Sequence, residues 1–260
     1  MSPRGVALVT GAARGIGRAI ASRLAADGFV VAVNDTSRQS EELRNFALLL
    51  KTKGPASSMH VADVSKEKQV KGMIEDVVGE HGALDVILDG RQRGGPRQLW
   101  KRTAEVSAED WDRTMSVNAW GTFLCYKYAG LQMITQGRGG RIIGACSVAG
   151  KQGIGEDWPY TASKFAVRGL TQSAALEFGQ HGITVNAYAP GGIETEMMRS
   201  AGGGSAEGAE KIRQLYTEMS PLKRIGVPED IANCVSFIAS KESQFITGQT
   251  ISVNGGIYFD

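Results

Sequence analysis

Cysteine, histidine and net charge are all scarce in this chain. The three cysteines, Cys125, Cys146 and Cys234, are an odd number and widely spaced. That pattern argues against a disulfide framework or a thiolate zinc site and for free thiols in a reducing compartment. The three histidines, His60, His81 and His181, lie far apart in sequence with no metal-ligand spacing, so no metal is expected. The formal charge of +2 argues against a general polyanion binder, and no nucleic-acid partner is expected. No apolar run is long enough to span a bilayer, so no membrane association is expected. Met1-Ser2-Pro3-Arg4 runs straight into a strand pattern without the layout of a secretory signal, and the expected location is the cytoplasm. What remains is a 260-residue chain, 42% apolar and 22% charged, with the composition of a globular protein that buries a core.

Short apolar runs alternate with helical patterns. Strands are predicted at 5–9, 29–33, 58–62, 84–88, 141–146, 183–188 and 250–253. Between them, helices are predicted at 41–53, 66–81, 109–128 and beyond, 160–180 and 228–240; Leu43, Phe46, Ala47 and Leu50 share one face of the first of these. Pro228 suits the first turn of the last. There is no internal repeat and no linker. The pattern predicts a single domain over 1–260, an α/β fold with a doubly wound, Rossmann-like parallel sheet and helices on both faces. The stretch 192–220, rich in Gly, Ala and charge in its latter part, reads as a mobile substrate lid. Ligands of such sheets bind beyond the carboxyl ends of the strands, where Gly11, Asp35, Asp63, Ser147 and Pro190 fall.

Two of these ends carry the chemistry. Tyr160 and Lys164 are four residues apart in a helical pattern, which puts them on one face. An ammonium beside a phenol favours the phenolate, so a Tyr160 pKa below the usual value near ~10 is expected, with a proton exchangeable near neutral pH. Ser147 lies just upstream, at the end of an apolar strand run. At the other end, Thr10-Gly11-Ala12-Ala13-Arg14-Gly15-Ile16-Gly17 joins the first strand to a helix. Glycines there permit a tight turn and let backbone N–H groups approach a pyrophosphate. Asp35 ends the second strand, where a carboxylate can accept from the adenosine ribose hydroxyls and would repel a 2′-phosphate, favouring NAD over NADP. Arg14 is the counter-signal, a cation that could hold that phosphate. Asp63 could meet the adenine amino group or cap the next helix through Ser65.

With these motifs in this order and spacing, the chain resembles the short-chain dehydrogenase/reductase family over nearly its whole length. The resemblance rests on the 10–17 turn, Asp63-Val64, Asn118, Ser147, Tyr160, Lys164 and Pro190-Gly191-Gly192-Ile193-Glu194-Thr195. Within the family, Ile142-Ile143-Gly144-Ala145-Cys146-Ser147, the run 163–172 and Thr247-Gly248-Gln249 look like acetoin (diacetyl) reductases and 2,3-butanediol dehydrogenases. The resemblance implies hydride transfer between a nicotinamide and a ketone or secondary alcohol. Tyr160 would be the general acid of reduction and base of oxidation. Lys164 would hold the nicotinamide ribose and lower the Tyr160 pKa, and Ser147 would hydrogen-bond the substrate oxygen. Asn118 would place a water linking Lys164 to solvent. Ile193 and Thr195 would contact the carboxamide, with Pro190 and Gly191 beside them. It also implies NAD or NADP as cofactor, a small-molecule partner and a homo-oligomer, dimer or tetramer.

One stretch departs from the family. Where an Asn-Asn-Ala-Gly turn is usual, this chain has Asp89-Gly90, followed over 91–102 by five basic residues (Arg91, Arg93, Arg97, Lys101, Arg102) and no acidic one. The readings are a solvated loop or an altered wall of the cofactor cleft whose guanidinium groups reach cofactor phosphates. The leading function is reduction of a small α-hydroxyketone or diketone. The alternatives are the same chemistry on a larger or cyclic substrate, and a nucleotide-binding regulator without turnover.

Overall fold

A computed structural model describes residues 3–90, 103–155, 157–201 and 203–260. The charged segment 91–102 therefore lies outside the described residues, as do Glu156 and, within the predicted lid, Gly202. Seven strands form one sheet: β1 Val6–Thr10, β2 Val30–Asp35, β3 Ser57–Val61, β4 Val86–Asp89, β5 Gly140–Ala145, β6 Ile183–Pro190 and β7 Thr250–Val253. Their order is β3-β2-β1-β4-β5-β6-β7, and every neighbouring pair is parallel. This is the doubly wound α/β fold expected from the alternation of patterns.

Because side chains alternate across a strand, each run feeds two layers. From β1, Ala7 and Val9 pack with Ile20 and Leu24 of α1 (Gly15–Ala26), Leu43 and Phe46 of α2 (Ser40–Leu50), and Ile231 and Val235 of the helix Pro228–Ala239. Val6 and Leu8 pack on the opposite face with Val70 and Ile74 of α3 (Glu67–His81), Leu124 and Ala129 of the helix Gly121–Gln136, and Phe178 at the end of the helix Trp158–Phe178. A fully buried aliphatic or aromatic side chain contributes roughly 1.5–3 kcal/mol, so the two layers together hold the sheet between them.

Two elements differ from their sequence reading. The long helix expected from residue 109 is α4 (Ala108–Met115) and α5 (Gly121–Gln136) joined by a π turn over Ser116–Trp120. Inside it the Thr122 hydroxyl donates to the Asn118 carbonyl at 2.7 Å, a side chain bonding back one turn. The lid expected over 192–220 holds two helices after α6 (Trp158–Phe178): α7 (Glu196–Ala201) and α8 (Ala206–Met219), with α9 (Pro228–Ala239) following. The Ser205 hydroxyl accepts from the Gly208 N–H and starts α8, so the small and charged residues there are helix-forming.

Candidate active site

At the end of β1 the chain turns on Gly11 (φ +66°) and Gly15 (φ +56°). A Cβ on Gly17 would collide with the Gly11 carbonyl. Helix α1 begins at Gly15 with no acidic residue in its first turn and no side-chain cap, which leaves its leading N–H groups for an anion. Above Gly15 the nearest atoms to an added Cβ belong to Thr195, at 3.7 Å, so two stretches far apart in sequence face one cleft. Ile16 packs against the core below. Asp35, 1% exposed, accepts from the Thr36 N–H at 2.8 Å and the Ala13 N–H at 3.4 Å, tying the glycine turn to β2. Arg14 is ion-paired with Glu196 of α7. Backbone donors, an open approach over Gly15 and a carboxylate at the end of β2 fit a nicotinamide dinucleotide.

Asp63 resolves toward the turn. Its Oδ1 accepts from the Ser65 N–H at 3.0 Å and from the Ser65 hydroxyl at 2.8 Å, just before α3. Val64 is buried under Gly121, whose added Cβ would meet it at 2.9 Å. On the far side Pro190 ends β6 opposite Val253, and Gly191 lies against Asn254. The Ile193 side chain packs into the core cluster, and the Thr195 hydroxyl accepts from the Met198 N–H at the start of α7.

The end of β5 is built differently, from side chains. Ser147 is extended and 8% exposed; its Oγ accepts from the Ala149 N–H at 3.1 Å, and its side chain lies near enough to the Tyr160 phenol to favour the phenolate. Lys164 is fully buried, donates from Nζ to the Ala145 carbonyl at 2.9 Å and lies 5.1 Å from the centre of the Tyr160 ring. Asn118, also fully buried, donates from Nδ2 to the Ser163 hydroxyl at 3.1 Å, and that hydroxyl donates to the Tyr160 carbonyl at 2.7 Å. The π turn thus aims Asn118 at the helix carrying Tyr160 and Lys164, a use of π-bulges common at functional sites. Ser147, Tyr160, Lys164 and Asn118, spread over 118–164, meet in one place.

Electrostatics corrects one expectation. Burial pushes the Tyr160 phenol well above its ordinary pKa, against the nearby Ser147 side chain, which lowers it. The neighbouring Lys164, itself pulled down to about 8 by burial, does not offset this rise. The cost of burying a charge outweighs the pairing.

Asp89, where the family has asparagine, is fully buried at the end of β4. Its Oδ1 accepts from the Thr10 hydroxyl at 3.1 Å, and Thr10 Oγ1 accepts from the Gly90 N–H at 3.1 Å. Its Oδ2 meets the Thr122 hydroxyl. That hydroxyl has one proton, which the Asn118 carbonyl also claims. Both contacts are satisfied together only when Asp89 carries a proton of its own. Burial acts in the same direction, raising the Asp89 pKa, while Thr122, Thr10 and Lys164 oppose it. An added Cβ on Gly90 would meet the Thr10 carbonyl at 2.7 Å, so this strand end tolerates only glycine after the carboxyl.

Two further groups were not singled out in the sequence. Burial raises the Asp157 pKa to about 6, partly offset by the Tyr160 N–H. Tyr216, the only aromatic residue of α8, packs over Gly192, and its field reaches Tyr160 as that of Asp157 reaches both tyrosines. Asp157 stands two residues before Pro159 at the start of α6, a signal of a helix entrance; nothing local to Tyr216 marks it.

Comparison with known proteins agrees with this geometry. The family model described as enoyl-(acyl carrier protein) reductase matches residues 11–258. A short-chain dehydrogenase/reductase of Armillaria gallica is 52% identical, over 98% of this chain and 96% of its own. A 3-oxoacyl-(acyl-carrier-protein) reductase of Staphylococcus aureus is 42% identical, over 97% of each chain. The crystal structure of levodione reductase superposes with a TM-score of 0.89 at 32% identity, over 98% of each chain.

Proposed function

Because the chain belongs to the short-chain dehydrogenase/reductase family of NAD(P)-dependent oxidoreductases acting on CH–OH and ketone groups, we propose that Tyr160, Ser147, Lys164 and Asn118 carry that chemistry here. The convergence of these four side chains near the end of β5, three of them buried and Tyr160 half-buried, supports the reading. When bound, the dinucleotide supplies or accepts the hydride. Gly11, Gly15, Ile16 and Gly17 would hold its pyrophosphate at the start of α1, and Asp63-Val64 would flank the adenosine. Pro190, Gly191, Ile193 and Thr195 would line the nicotinamide end. Lys164 would hold the nicotinamide ribose hydroxyls. Ser147 would hold the substrate oxygen, and Tyr160 would give that oxygen its proton. Asn118 would fix the helix through Ser163 and place a water toward Lys164.

The raised phenol pKa has a directional consequence. A neutral phenol is ready to donate, and an alkoxide is basic enough to take its proton. Oxidation needs the phenolate, which burial disfavours, so at neutral pH Tyr160 rests in the form that serves reduction and must lose its proton before it can serve oxidation. NAD is the preferred cofactor in this reading. Asp35 would repel a 2′-phosphate, and Arg14, paired with Glu196, is not positioned as a lone cation for it.

The substrate is read as a small α-hydroxyketone or diketone. A larger or cyclic ketone is the second reading. The lid helices expose Met197 and Leu215 beside the inward Tyr216, and a structural relative is named for reducing levodione. Family membership also supports association of copies, for which α5 and α6 expose Leu131, Phe165 and Leu176. The test is a panel of diacetyl, acetoin and cyclic diones with NADH and with NADPH, followed by nicotinamide absorbance. Turnover with NADH exceeding that with NADPH is expected; an inert protein across the whole panel would sink the proposal.

A further inference from the structure

Two histidines that are 21 positions apart in sequence meet on the edge strand of the sheet. His60 belongs to β3 and His81 is the last residue of α3, so they lie away from the turn at the end of β1 and from Tyr160. Their Nε2 atoms converge on one hydroxyl: Ser58 Oγ is 2.8 Å from that of His60 and 2.7 Å from that of His81. Glu80 brings its carboxylate alongside, Oε2 4.0 Å from His60 Nε2 and Oε1 3.8 Å from His81 Nε2. One ligand atom from each of the three residues lies within 4.8 Å of the others.

We propose that His60, Glu80 and His81 form a site for one divalent cation of the zinc class, which would clamp the end of α3 to β3. Ser58 Oγ, 2.7–2.8 Å from both rings and nearer than tetrahedral donors stand, would turn aside and a water would be the fourth ligand. Two imidazoles and a carboxylate are a familiar donor set for zinc, with bonds of about 2.0–2.2 Å and hence donor separations of roughly 3.3–3.5 Å in a tetrahedron. The glutamate–histidine separations exceed that by only about half an ångström. The movable partner is Glu80, 53% exposed, while the imidazoles are 9% and 10% exposed and held by their surroundings. Burial lowers the pKa of His60 against the opposing fields of Glu80 and Asp76, which favours the neutral ring that a metal requires. Without a cation, the Ser58 hydroxyl satisfies both rings by donating to one and accepting from the other. With one, both rings would carry their proton on Nδ1 and turn bare Nε2 atoms to the metal. Distant spacing hid this set from the sequence, where no metal was expected.

The experiment uses the full-length chain without an affinity tag, stripped with a chelator. Zinc chloride is titrated in competition with a chromogenic chelator, and cobalt(II) is added separately for its absorption spectrum. One zinc per chain, an intense tetrahedral cobalt spectrum and a raised melting temperature are expected. Glu80→Gln leaves an exposed helix residue of nearly the same shape and should fold normally; it and His81→Ala should each weaken zinc binding at least tenfold. Turnover should be unchanged in Glu80→Gln. Absence of stoichiometric binding, or binding that Glu80→Gln and His81→Ala leave intact, overturns the site.

Discussion

The cleft has two walls made in opposite ways. At the end of β1 the surface is backbone: Gly11, Gly15 and Gly17 clear a path to the N–H groups of α1, and Asp35 anchors the turn through main-chain donors. At the end of β5 the surface is side chain: Ser147, Lys164 and Asn118 are buried, Tyr160 is half-buried beside them, and Lys164 and Asn118 are held by the Ala145 carbonyl and the Ser163 hydroxyl. The first wall contributes shape and a partial positive charge that does not titrate. The second contributes protons whose availability is set by desolvation. A backbone wall therefore fails when an atom is added, and a side-chain wall fails when a functional group is removed. Asp89 bonds to both, through Thr10 on one side and Thr122 on the other.

The sharpest separation of the two walls comes from Tyr160→Phe. Removing the proposed proton donor should cut the rate of reduction by roughly 10²- to 10⁴-fold, while NADH binding, measured by fluorescence titration, stays as in the parent chain. Equal loss of binding and rate would mean that the walls are not independent. Gly17→Ala makes the converse change. Its Cβ meets the immovable Gly11 carbonyl, so a loss of roughly 1–3 kcal/mol in unfolding free energy is expected from overpacking, with weaker cofactor binding. Rate at saturating cofactor should fall far less than in Tyr160→Phe; an unaltered melting curve and NADH affinity would refute the steric argument.

The smallest effect tests the joint between the walls. The folded-state pKa of Asp89 is raised by burial, so folding favours its protonated form. The associated stability is fully present below the ordinary carboxylate pKa near ~3.9 and is lost as pH rises through the raised folded value. Asn has the shape of the protonated acid and no proton to lose. Asp89→Asn should therefore match the parent at acidic pH and become the more stable of the two as pH rises, by denaturant melts across pH. Parallel curves would show that folding leaves the Asp89 pKa unshifted.

The contrast also explains what could be read along the chain. The backbone wall was legible because its signals are local: glycines directly after an apolar strand, a helix after them, and a carboxylate closing the next strand. Tyr160 and Lys164 were legible for the same reason, one helical turn apart. Asp63 was readable as far as its two options, and the hydrogen bonds to Ser65 select the turn. The π turn at Ser116–Trp120 left no such mark, because Asn118 and Thr122 bond across the fold, to Ser163 and Asp89.

Periodicity, composition and turn residues were enough to specify a parallel sheet and the strand ends at which Gly11, Asp35, Asp63, Ser147 and Pro190 fall, while Asn118 entered through the family resemblance. These follow from interactions within a few residues of each other. The state of those groups needed the assembled protein. Whether Tyr160 rises or falls in pKa depends on how much water the packed helices exclude, and whether Asp157 is half-protonated near pH 6 depends on the same exclusion. The meeting of His60 with His81 depends on α3 returning along β3. Burial and long-range proximity are properties of the packed chain, and solvation energies of buried groups are large enough to reverse what neighbouring residues suggest.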